Sequence, residues 1–138
     1  MTNMILLKEI TLAFVFALIF ICAASSRPGP QWAQNDPERT AWFGRQMMPD
    51  NPSISCCGEA DAYYADGVEV VDGVVYAIVT DDRPDEPLGR PHVDVGTRIA
   101  IPTHKYKDTR ADPNPTGHTI IFLGRDSQVY CYLPDGGV

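Results

Sequence analysis

The sequence predicts an α+β fold: a small antiparallel sheet or partly closed barrel of about five strands, covered by one amino-terminal helix and closed by a disulfide. Three observations carry that expectation. Two β-branched runs, residues 68–71 (VEVV) and 74–79 (VVYAIV), flank Asp72-Gly73, the dipeptide of the two-residue type I′ hairpin. Upstream, Asp36-Pro37-Glu38 has the order of a helix start: a capping carboxylate, a proline for the first helical position and an acid for the positive end of the dipole. Finally, an uncharged apolar run near the amino terminus places the cysteines in an oxidising compartment, where pairing is their default chemistry.

That run, residues 10–24 (ITLAFVFALIFICAA), is 15 residues long. It falls short of the ~18–20 of a spanning helix and fits the apolar region of a secretory signal, with small residues behind it for cleavage. Residues 1–26 therefore read as a signal segment, residues 27–35 as an extended leader and residues 36–138 as a single α+β domain. The expected location is periplasmic or secreted. The competing reading is an inner-membrane anchor spanning residues 4–24, and an uncleaved segment of this kind is the one membrane link the sequence offers.

Along the domain, the helix is expected over residues 37–48, with Ala41, Trp42, Phe43 and Met47 broadly on one side and Pro49 as its stop. Residues 60–64 are expected to make a helical turn. The Asp72-Gly73 hairpin follows. Residues 81–91 (DDRPDEPLGRP) hold three prolines and six charges, which forbid a central strand, so a solvated loop is expected with Asp81, Asp82, Asp85 and Glu86 facing water. A third strand is expected at 97–101 (TRIAI), a second long polar loop over 103–117, and a closing hairpin from 118–123 (HTIIFL) to 129–133 (VYCYL). In the last strand, simple alternation places Val129, Cys131 and Leu133 on one face and Tyr130 and Tyr132 on the other.

Charge excludes some functions. The chain carries 11 Lys plus Arg against 18 Asp plus Glu, a net charge of −7, and no basic cluster, so neither nucleic acid nor an anionic lipid surface is an expected partner. Of the four cysteines, Cys22 falls in the signal segment. Cys131 is expected to bridge to one of the vicinal pair; Cys57–Cys131 is placed first and Cys56–Cys131 second, since periodicity does not choose between them.

The motifs accumulate into a pattern: Trp42-Phe43, Ser55-Cys56-Cys57 with Asp61 four residues later, Ile101-Pro102, Asn114-Pro115-Thr116-Gly117 and Cys131-Tyr132-Leu133-Pro134. Over most of residues 42–137 this resembles a group of small exported proteins of alphaproteobacteria and some phage genomes, with W-F, S-C-C-x-x-x-D and C-[FY]-x-P segments. Many members of that group have a further Cys directly after the Asp. Here that position is Ala62, so the second bridge it implies is missing. The group has no established activity; the resemblance implies architecture and export and transfers no catalytic residue.

Chemistry-bearing residues are sparse. Tyr130 and Tyr132 on one strand face would make an aromatic patch for a protein, peptide or glycan. Cys56 and Cys57 with His104 and His118 make a soft S2N2 set of the kind that binds Zn or Cu, although the usual ligand spacing is absent. His104 and His118 with Asp108 or Asp112 would suit a hydrolytic cleft, but no nucleophile motif accompanies them. The sequence thus favours a non-enzymatic exported binding or accessory module without cofactor. A Zn- or Cu-binding protein comes second and a hydrolase centred on His104 and His118 third.

Overall fold

The computed structural model describes residues 36–135. The expected signal segment (residues 1–26), the expected leader (27–35) and residues 136–138 lie outside the described residues. Helix α1 (Pro37–Gly44) starts as its sequence dictates, with the Asp36 carboxylate accepting from the Glu38 and Arg39 N–H groups at 3.1 Å. It is shorter than residues 37–48. At Gly44 the chain tightens, the Arg45 and Gln46 N–H groups bonding the Trp42 and Phe43 carbonyls, and Met47 then leaves to form a bridge with Ser55. A helical turn α2 (Cys56–Glu59), capped by Ser55, replaces the turn expected at 60–64.

Residues 61–64 are instead strand β1 (Asp61–Tyr64), which periodicity over four residues does not reveal because its partner lies about sixty residues away in the chain. The hairpin strands are β2 (Gly67–Val71) and β3 (Val74–Ile78), joined by Asp72 at φ 51° and Gly73 at φ 80° as a type I′ turn requires. Strands β4 (Arg98–Ala100), β5 (Ile120–Leu123) and β6 (Val129–Leu133) follow.

The strands build two antiparallel three-stranded sheets, β1-β5-β6 and β2-β3-β4, in place of one five-stranded sheet or barrel. The sheet β1-β5-β6 is the middle layer. One of its faces, with Ala62, Ile120, Phe122, Cys131 and Leu133, packs under Trp42, Phe43, Met48 and Cys56. Its other face, with Tyr63, Ile121, Leu123, Val129 and Tyr132, packs on Ala77, Val75 and Ile99 of the outer sheet. Burial on both sides explains why β5 is an unbroken apolar run of Ile-Ile-Phe-Leu. The Cys56–Cys131 disulfide joins α2 to β6 across a separation of 75 residues, and loop closure of that length is worth about 4 kcal/mol.

Candidate functional site

The pairing placed first, Cys57–Cys131, is corrected. Ser55 caps α2, and its first residue, Cys56, is fully buried against the middle sheet; the next residue, one helical step round, points elsewhere. Cys57 is a free thiol whose S–H faces the Phe43 carbonyl at 3.6 Å. Burial pushes that thiol up to about 12, so it is a poor nucleophile and a poor metal ligand at neutral pH.

The expected face of Tyr130 and Tyr132 is also corrected. Phe122 pairs with Cys131 while Leu123 pairs with Val129, so Tyr130 is the extra residue of a β-bulge. The bulge breaks the alternation: Val129 and Tyr132 face the outer sheet while Cys131 and Leu133 face α1. Tyr132 is buried, and burial, then the neighbouring Tyr106, pushes its hydroxyl up to about 12. Tyr130 is half-buried on the other side, its hydroxyl donating to Glu59 Oε2 at 3.2 Å. The two rings do not form one patch.

The four-ligand metal set is not assembled, since Cys56 is spent in the disulfide and no group of three or more His, Cys, Asp or Glu among the described residues is arranged to hold a metal ion. Nor do the hydrolase residues meet. His104 lies 3.9 Å from Asp50, whereas His118 Nδ1 lies 2.8 Å from Asp66 Oδ2. Asp112 takes Arg45 at 3.1 Å and the buried Gln46 at 3.0 Å, and Asp108 pairs with Arg110, whose guanidinium holds that carboxyl down at about 2. Asn114 and Thr116 bond the His118 carbonyl and one another as turn formers.

Two arrangements escape the sequence. The first lies in the loop expected to face water, where Asp81 and Arg90 are buried. Arg90 donates to Asp81 at 2.7 Å, to Asp85 at 2.7 Å, and to the carbonyls of Ala62 at 2.9 Å and Arg83 at 3.0 Å. Burial would raise the Asp81 carboxyl, but hydrogen bonds from Arg83, Arg90 and the Tyr64 N–H outweigh it and hold it well below the usual carboxylate range. A signal exists in hindsight: Ala77, Val79 and Asp81 continue one inward-facing series at period two. Beside this network the Arg83 guanidinium lies 3.9 Å over the Tyr64 ring, and His118 stacks on that ring at 4.0 Å.

The second arrangement is a cleft of ≈ 590 Å³ along the 103–117 loop, lined by Tyr106, Lys107, Thr109, Arg110, Pro113 and Pro134 among others. Tyr106, which is 46% exposed, lies tilted against the buried Tyr132 with ring centroids 5.0 Å apart. The loop is anchored on both sides: Lys105 Nζ reaches Asp50 at 2.7 Å, Lys107 Nζ reaches the Met47 carbonyl at 2.9 Å, and Trp42 Nε1 bonds the Asp112 carbonyl at 3.3 Å. Desolvation lowers the Lys107 ammonium against the pull of Asp112. No protein family, curated protein or solved structure matches this chain. Chemistry at the cleft therefore rests on its own side chains: an aromatic face held from behind, two prolines, and the cations Lys107 and Arg110 matched in number by the carboxylates Asp108 and Asp135, with no aligned nucleophile and base among them. No helix among the described residues is long and apolar enough to cross a membrane.

Proposed function

We propose that the protein is an exported, disulfide-closed binding or accessory module of the periplasm or extracellular space, and that its ligand, a protein, peptide or glycan, lies in the Tyr106 cleft. One observation carries the reading: an exposed aromatic ring, backed by a buried one, sits in a concave surface whose loop is anchored on both sides. A loop already held in place loses little entropy on binding, and a tyrosine face supplies stacking area for a proline ring or a pyranose. Export is supported by the 15-residue apolar run, by a disulfide compatible with an oxidising compartment, and by the resemblance to small exported proteins.

The test is a screen of the labelled protein on peptide and glycan arrays, alongside Tyr106→Ala. Ligands selected by the unmodified protein are expected to lose most of their signal with the variant and to shift the amides of residues 106–113 on titration. Ligands that bind both proteins equally would remove the cleft from the reading. Export is checked by locating the protein in cell fractions and sequencing its amino terminus; retention in the cytoplasm with reduced Cys56 and Cys131 would sink it.

A further inference from the structure

The two edges of the middle sheet are covered. Along β1, the Tyr64 N–H donates to the Asp81 carboxylate at 3.1 Å and the Ala62 carbonyl accepts from Arg90 at 2.9 Å. Along β6, Tyr106 bridges to Tyr132 and the Lys107 N–H donates to the Tyr132 carbonyl at 2.9 Å. Strand β2, an edge of the outer sheet, has no such cover among the described residues. Because Val71 and Val74 close a two-residue hairpin, the backbone groups of Gly67, Glu69 and Val71 point to β3 and those of Val68 and Val70 point outward. The parity holds on the far side of β3, where the Val75 carbonyl accepts from Ile101. No described residue bonds the outward groups of Val68 and Val70.

The side chains of these two residues tell the same story. Val68 and Val70 lie opposite Ala77 and Val75, on the face that forms the core, yet they are 52% and 66% exposed and stand outside that core. The other edge, β4, is three residues long, ends just before Pro102 and leans its Ile99 on the core. Strand β2 has no lysine, proline or bulge to blunt its edge, and Glu69 is its one charged residue. Its charge is acidic. Glu69 stands on the outer face in an ion pair with Arg98 of β4 at 2.8 Å, Asp72 lies in the turn at one end of the strand, and Asp66, held by His118 and the Thr119 N–H, lies at the other, so carboxylates outnumber cations along this edge.

We propose that the free edge of β2 is a docking strand for an extended segment of another protein in which apolar and basic residues alternate. Its backbone would pair with Val68 and Val70, its apolar side chains would extend the core over these valines, and its basic side chains would face Glu69. A second copy of this chain fits less well. The self-pairing that engages both outward residues of each strand is centred on Glu69, so it places Glu69 against its own symmetry mate in a protein of net charge −7. The surface is separate from the Tyr106 cleft, and neither depends on the other.

The probes are acetyl-Val-Lys-Val-Lys-Val-amide and its glutamate counterpart, titrated into the 15N-labelled protein with its termini as the producing cell leaves them. The lysine peptide is expected to bind at least about fivefold more tightly, to shift the Val68 and Val70 amides most and to slow their hydrogen exchange. Glu69→Lys is expected to reverse the preference, and Glu69→Gln, which keeps shape and hydrogen bonding, to narrow it towards equality. Equal affinities for the two peptides in the unmodified protein, or shifts centred away from β2, overturn the proposal. So does a dimer seen by sedimentation with the Val68 and Val70 amides already protected before any peptide is added.

Discussion

The two sheets have three strands each and share one interface, yet they are finished differently. In β1-β5-β6 both faces are buried and both edges are covered, one by the side chains of Asp81 and Arg90 and the other by the segment at Tyr106 and Lys107. In β2-β3-β4 one face is buried in part, the other carries the exposed Glu69–Arg98 pair with Arg98 over Tyr76, and no described residue covers the edge of β2. The difference teaches where stability and recognition reside. The middle sheet is where substitutions should unfold the protein, and the outer sheet is where substitutions should change what it touches.

The sharpest way to break this contrast is at Arg90. Arg90→Leu leaves the Asp81 carboxylate buried with a main partner gone and uncovers the β1 edge, so a loss of about 3–5 kcal/mol is expected by denaturant titration. A loss under about 1 kcal/mol would mean that the network is ornamental. Replacing Cys56 and Cys131 by serine together is expected to cost about 4 kcal/mol, whereas Cys57→Ser should cost far less, since it leaves the bridge intact. Thermal unfolding under non-reducing conditions separates the two; equal losses would show that the bridge carries no special weight.

Smaller changes sharpen the comparison between faces. Ile121→Val removes one methylene from a fully buried site of the middle sheet and is expected to cost about 1 kcal/mol, while Val70→Thr on the open edge should stay within about 0.5 kcal/mol. Equal costs in chemical denaturation would erase the distinction. The smallest effect concerns pH. His92 is exposed and sits between Asp85 at 2.6 Å and Asp94 at 3.0 Å, and these two hydrogen bonds raise its imidazole above the ordinary value. The contribution is thus complete below the ordinary histidine range and is lost as pH rises through the raised value. Protection of the amides of residues 85–94, taken relative to their intrinsic base-catalysed exchange at each pH, should fall across that window, an effect that His92→Gln abolishes; protection that does not change with pH contradicts it.

Much of the architecture was legible in the sequence because its determinants are local. Asp36-Pro37-Glu38 starts a helix wherever it is placed, and Asp72-Gly73 has the backbone freedom a two-residue hairpin demands. Strands β4, β5 and β6 announced themselves by composition within one or two residues of their observed ends. Strand β1 did not, because Asp-Ala-Tyr-Tyr has no clear period and becomes a strand through pairing with β5. The candidate site was less legible still. Tyr106 was read as part of a polar loop, and its partner Tyr132 as part of a face that the Tyr130 bulge abolishes.

The sequence by itself therefore determined the class, α+β with a disulfide from Cys131 to the vicinal pair, and the start of helix α1, since composition, capping and turn chemistry act over a few residues. Tertiary structure alone decided that the strands divide into two sheets, that Cys56 and not Cys57 closes the bridge, and that Asp81 is buried against Arg90. The last two are choices between neighbouring residues, set by which of them faces a partner 75 or 9 positions away, and the first depends on which strands meet across the chain. A period of two or 3.6 can rank such neighbours by face; it cannot supply the partner.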